Sequence, residues 1–221
     1  MQGSGNATFG VNSILMDTPD TIKLKNSVTE WDHASGPVTA PVTLLEYGNF
    51  ECIHCGRVYP VIKQLRKVLG DNLRFVFRHF PTVRTHAYSL RAAEAAEAAG
   101  AQGKFWQMHD ELFSHQTALE DRNLSSYAKR IGLDLERFTH DLMEHTFLKQ
   151  IETDYQHSLF DEHVTGTPTI YLNDIRYTGS TDLEGLLLAI RQADNEGKIQ
   201  LLESHHSVRE LLSRLLRHSN H

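Results

Sequence analysis

Two cysteines, Cys52 and Cys55, are the only thiols in this 221-residue chain, and their position constrains the fold more than any other feature. They follow the apolar, β-branched run Val42-Thr43-Leu44-Leu45-Glu46-Tyr47 and precede a stretch in which Val58, Ile62, Leu65 and Val68 recur at helical spacing up to a stop at Gly70. The pair therefore marks a strand-to-helix junction. A second strand is expected at Leu73–Phe80, where the pattern alternates until Pro81 ends it. A Cys-x-x-Cys pair can close as a disulfide, open as a dithiol or bind a metal, and no other thiol competes with it for oxidation.

Around this junction the chain divides by pattern. Residues 1–40 read as a turn-rich entry segment, with Asp20–Lys25 as a candidate edge strand and Ser35-Gly36-Pro37 as a loop. From 85 to 163 the reading is helical throughout. The alanine-rich run Ala92–Ala99 is expected to be capped by Gly100, and Phe105, Met108, His109, Leu112 and Phe113 form one helical face. Tyr127 and Ile131 belong to a short helix ending at Gly132, Asp134 caps one that turns Phe138 and Leu142 inward, and Phe147, Ile151, Tyr155 and Leu159 line a last one. Strand character returns at Thr169–Leu172, turns at Asn173-Asp174 and continues through Ile175–Thr178, which is a hairpin signal. Thr181-Asp182-Leu183-Glu184 reads as a capping box. The expected class is α/β, with residues 41–84 and 164–195 forming one domain, 85–163 a helical insertion and 196–221 a C-terminal helical extension. In that extension Val208, Leu211, Leu212, Leu215 and Leu216 make a stripe that either docks on its own domain, giving a monomer, or pairs two copies as a homodimer.

Composition excludes some partners. Lys and Arg number 22 against 28 Asp and Glu, and no basic run occurs, so neither nucleic acid nor an anionic membrane is an expected partner. No segment is apolar enough for membrane insertion. The first twenty residues hold no Lys or Arg and no secretory core, which points to the cytoplasm, or to the periplasm if a signal peptide has been removed. The 14 histidines are scattered, so no metal site is expected, apart from the open alternative of Cys52, Cys55 and His54 sharing an ion in a dimer.

A cysteine at a helix N-terminus faces unpaired backbone N–H groups and the positive end of the helix dipole, both of which favour thiolate. Cys52 is thus the expected nucleophile, His54 between the pair an added influence, and Cys55 the thiol that attacks a mixed disulfide from within. Glu46 stands in an apolar strand, where a carboxylate is costly unless paired or protonated. It either lies beneath the dithiol as a proton exchanger or points to solvent at the strand end. Gly166-Thr167-Pro168-Thr169 precedes a strand, and a cis bond at Pro168 would turn the backbone of residue 167 toward the sulfurs as a dock for an extended substrate.

Glu46, the sequence Cys52-Ile53-His54-Cys55, Thr167-Pro168 and the intervening helical block together resemble the DsbA-like branch of the thioredoxin superfamily. Gly36-Pro37-Val38-Thr39-Ala40-Pro41-Val42-Thr43-Leu44 and His79-Phe80-Pro81 followed by His86 add to the likeness, which spans roughly residues 33–192. The resemblance implies a thioredoxin-like fold with an inserted all-helical domain. It also implies Cys52 as exposed nucleophile, Cys55 as resolving thiol, Glu46 as buried acid and Pro168 as a cis-proline beside the disulfide, with no cofactor. The expected activity is thiol-disulfide exchange with cysteine-containing polypeptides, recharged by glutathione, a thioredoxin-type reductase or a membrane oxidase. The alternative is a redox-regulated chaperone or binding module whose disulfide switches conformation without turnover. Ile53, where the family often has proline, and Thr167, also found in reducing and isomerising relatives, leave the direction of exchange open.

Overall fold

The computed structural model describes residues 22–194 and Gly197. Strand β2 (Val42–Gly48) runs into helix α1 (Ile53–Leu69) through a four-residue connection, a 3-10 turn (Gly70–Asn72) reverses the chain, and β3 (Leu73–His79) returns parallel to β2. Five helices then separate β3 from the next strand: α2 (Ser89–Gly100), α3 (Phe105–Ser114), α4 (Asp121–Arg130), α5 (Leu135–Met143) and α6 (Leu148–Phe160). The hairpin β4 (Thr169–Leu172) and β5 (Ile175–Tyr177) follows, then α7 (Leu183–Ala193). A short strand, β1 (His33–Ser35), pairs antiparallel with β3, giving the sheet order β1-β3-β2-β4-β5.

Side-chain alternation assigns the two faces of this mixed sheet. Val42 and Leu44 of β2 join Phe75 and Phe77 of β3 and Ile170 and Leu172 of β4 in the larger core, against Cys55, Val58, Ile62, Leu65 and Leu69 of α1. Leu45, Tyr47, Val76 and Tyr171 point the other way, into a smaller cluster with Phe80 and Val164 and the partly buried Tyr155 and Leu159 of α6. Glu46 shares parity with Leu44, so its side chain is committed to the α1 side.

Several local readings are corrected. The residues read as a loop at Ser35-Gly36-Pro37 begin with the end of β1, a strand too short to show alternation. Gly100 does not cap α2 but is its last residue; Ala101 is the cap, and the left-handed turn comes at Gly103 (φ 72°). Asp182, not Thr181, caps α7, its carboxylate accepting from the Gly185 N–H at 2.7 Å. The Asp134 cap is as read, accepting from the Arg137 N–H at 3.1 Å. Of the candidate edge strand, Asp20 and Thr21 lie outside the described residues. Lys23 forms one bridge with Ile175, flanked by bonds from the Leu24 N–H to the Asp174 carbonyl and from the Arg176 N–H to the Ile22 carbonyl. The leucine stripe of the C-terminal extension also lies outside the described residues. With its central mixed sheet, flanking helices and helical block between β3 and β4, the structure has the thioredoxin-like α/β fold.

Candidate active site

Strand register builds the site. Tyr47 of β2 pairs with Thr169 of β4, so Gly166-Thr167-Pro168, just before β4, lies beside the segment that leaves β2 toward α1. The Thr167–Pro168 bond is cis, and the Cys52 sulfur sits 3.4 Å from the Thr167 carbonyl oxygen. Cys52 is the N-cap of α1 and Cys55 lies in its first turn. Both are free thiols in this structure. Gly166 stands at the edge of this group, where its carbonyl accepts from the Thr169 hydroxyl at 2.8 Å.

The environments of the three ionisable groups drive them apart. Cys52 is brought down to about 4, first by a hydrogen bond from the Cys55 thiol, which outweighs burial, and then by Thr167 and the backbone N–H groups of Cys55 and His54. Cys55 moves well above its ordinary value because it is fully buried and donates to Cys52, with Glu46 and Cys52 adding negative charge nearby. Burial pushes Glu46 up to about 8; its hydrogen bond with Cys55 opposes that rise and the Cys52 charge adds to it. Its Oε1 has no hydrogen-bond partner among the described residues, which is tolerable for a carboxyl that keeps its proton. At neutral pH the arrangement is a thiolate over a thiol over a mostly protonated carboxyl, a set of groups between which one proton can pass.

One expectation needs correcting. Cys52 is not an exposed side chain: only 5% of its surface is accessible, and the Thr167 carbonyl oxygen lies 3.4 Å from the sulfur. The His54 ring is exposed, and the contact this residue makes with the sulfur is through its backbone N–H.

Three residues around these groups carried no sequence signal. Gln116, just beyond α3, donates from Nε2 to the carbonyls of Phe50 (2.8 Å) and Cys52 (3.0 Å), tying the helical block to the connection that presents the thiols. Gly56 makes room for it, since a Cβ there would stand 1.8 Å from Gln116 Oε1. Gly48 has a similar role: a Cβ would meet the Phe77 ring at 2.3 Å and Glu46 Oε1 at 3.2 Å. Gln116→Ala strands the Phe50 carbonyl, and urea denaturation is expected to show a loss of about 1–2 kcal/mol together with an altered rate of Cys52 alkylation. An unchanged midpoint and rate would mean that the amide does not hold this connection.

Residues 28–192 match a family model described as thioredoxin. The Na(+)/H(+) antiporter NhaA 1 of Salinispora arenicola is 44% identical over 164 residues, covering 73% of this chain and 24% of that protein. The chain thus spans about a quarter of the length of the curated relatives it matches. Among solved structures, the thiol-disulfide exchange protein alpha-DsbA2 of Wolbachia pipientis superposes with a TM-score of 0.63 at 25% identity, over 72% of this chain and 85% of that one. Oxidised BdbD of Bacillus subtilis gives a TM-score of 0.66 at 24% identity, over 74% and 92% of the two chains, which is a likeness of fold.

Proposed function

We propose, because this chain belongs to the DsbA-like branch of the thioredoxin superfamily, that Cys52 and Cys55 exchange a disulfide with cysteine-containing polypeptides, acting mainly as an oxidant. The observation that carries this reading is the opposed electrostatics of two sulfurs three residues apart, one held as thiolate at a helix N-terminus and one kept protonated above a buried acid.

Starting from the Cys52–Cys55 disulfide, a client thiolate attacks the Cys52 sulfur. The Cys52–Cys55 bond breaks, a client–Cys52 mixed disulfide forms, and Cys55 leaves. As a thiol of raised pKa it is a poor leaving group when unprotonated; Glu46, holding a proton at neutral pH, supplies one. A second client thiolate then attacks the client sulfur of the mixed disulfide, forming the client disulfide and expelling Cys52. Cys52 is a good leaving group because its thiolate is stabilised. Two electrons pass from client to protein, which ends as the dithiol. Stabilising the reduced form makes the disulfide more oxidising, with roughly 30 mV for each 1.4 kcal/mol. The Thr167 backbone beside Cys52 supports an extended client strand docking there. No helix among the described residues is long and apolar enough to cross a membrane.

Cys55→Ala removes the resolving thiol and is expected to accumulate covalent adducts with a reduced, unfolded polypeptide, released by dithiothreitol and absent in Cys52→Ser. If Cys52→Ser oxidised dithiols as fast as the unaltered protein, the reading would be lost.

A further inference from the structure

Away from the thiols, three side chains distant in sequence meet behind β3. His33 of β1 and His79 of β3 both direct Nε2 at a single carboxylate oxygen, Oε1 of Glu97 on α2, at 2.8 and 2.9 Å. The three ligand-capable atoms lie within 4.8 Å of one another. His79 and Glu97 are buried, while His33 is partly accessible. The rings are fixed by neighbours: His33 stacks on Phe105 at a centroid distance of 3.4 Å and an interplanar angle of 6°, and His79 meets Phe50, Phe77 and Phe105 edge-on.

We propose that His33, His79 and Glu97 form a binding site for one divalent cation of the zinc class. Two imidazole nitrogens and one carboxylate oxygen make a donor set of borderline softness that suits zinc better than calcium or magnesium, which prefer all-oxygen shells. Three protein donors leave one tetrahedral position for water or a fourth ligand. That position has room: the three residues line a cavity of about 480 Å³ that Asp32, Asp154 and His157 also line. Ligands about 2.0–2.1 Å from a tetrahedral ion are about 3.3–3.4 Å apart, so the histidine nitrogens need to withdraw from Oε1 by about half an ångström. Each donor comes from a different element, so a bound ion would cross-link the edge strand, the inner strand and the helical block.

The test is calorimetric titration of the full chain with zinc after Cys52 has been alkylated in the folded protein, which leaves only the buried Cys55 and so removes the thiol pair as a competing site. One equivalent is expected to bind and to raise the thermal midpoint. His33→Gln and Glu97→Gln, each first shown by its zinc-free thermal transition to be folded, should each weaken binding at least about tenfold, whereas His140→Gln on the surface of α5 should bind as the unaltered chain does. Cobalt in place of zinc should give the visible absorption of a tetrahedral site in the alkylated chain and lose it in His33→Gln. The proposal is overturned if the alkylated chain shows no saturable zinc binding, or if His33→Gln retains both the stoichiometry and the affinity.

Discussion

In the reduced protein Cys52 is expected to attack a small disulfide reagent at a rate that is flat, within about twofold, from pH 5 to 8, whereas an ordinary cysteine accelerates roughly a thousandfold over that interval. The difference follows from thiolate populations. With its pKa brought down to about 4, Cys52 is already ionised at pH 5, and further alkali adds no nucleophile. Its plateau is lower than that of a more basic thiolate, because intrinsic nucleophilicity falls with pKa. The rate drops only as pH approaches 4 and below. Cys55→Ala removes the largest stabilising contact and should move the midpoint upward. Stopped-flow rates across the range measure this directly; a tenfold rise per pH unit between 5 and 8 would show that the helix N-terminus and the neighbouring thiol do not hold Cys52 as an anion.

Glu46→Leu should make the reduced protein markedly less sensitive to alkali. A carboxyl whose pKa is higher in the folded than in the unfolded chain retains a proton that the unfolded chain has already released, so stability falls as pH rises between the two values and is unaffected outside them. For Glu46 the window runs from 4.5 to about 8. The loss attributable to this carboxyl is about 3 kcal/mol by pH 7 and approaches about 5 kcal/mol above pH 8, at about 1.4 kcal/mol per pH unit. Both cysteines are common to the two proteins, so their own titrations largely cancel in the difference. Denaturant titrations at intervals from pH 4 to 9 should therefore give curves that diverge through the window, with the leucine variant increasingly the more stable. The same variant should resolve mixed disulfides more slowly, having lost the group that exchanges a proton with Cys55. Parallel stability curves would place Glu46 in contact with water rather than beneath the thiols.

How much of this was legible beforehand depended on how local each cause is. The β2-to-α1 junction, the 169–178 hairpin and the inward face of α3 follow from side-chain period and turn chemistry, and each matches the structure closely. Asn173 and Asp174 both adopt positive φ, 45° and 66°, as a two-residue hairpin turn requires. The three residues of β1 could not show a period, and they are ordered by the pairing with β3. Gly100 looked like a helix stop because glycine usually is one; packing keeps it helical, with His33 so close that a Cβ would lie 3.2 Å from that ring. Glu46 was ambiguous between acid and solvent-facing residue until β2 was enclosed by strands on both sides and covered by α1.

The sequence by itself determined the cysteine pair, its place at a strand-to-helix junction and the α/β class, since period, spacing and capping are properties of neighbouring residues. Tertiary structure alone decided which groups surround that pair. It placed the Thr167 carbonyl 115 residues away in sequence at 3.4 Å from Cys52, set the Gln116 amide on the Cys52 and Phe50 carbonyls, and brought His33, His79 and Glu97 onto one oxygen. The ionisation of Cys52, Cys55 and Glu46 belongs with these contacts. A pKa responds to burial and to charges within a few ångströms, and both are set by the packing of distant segments.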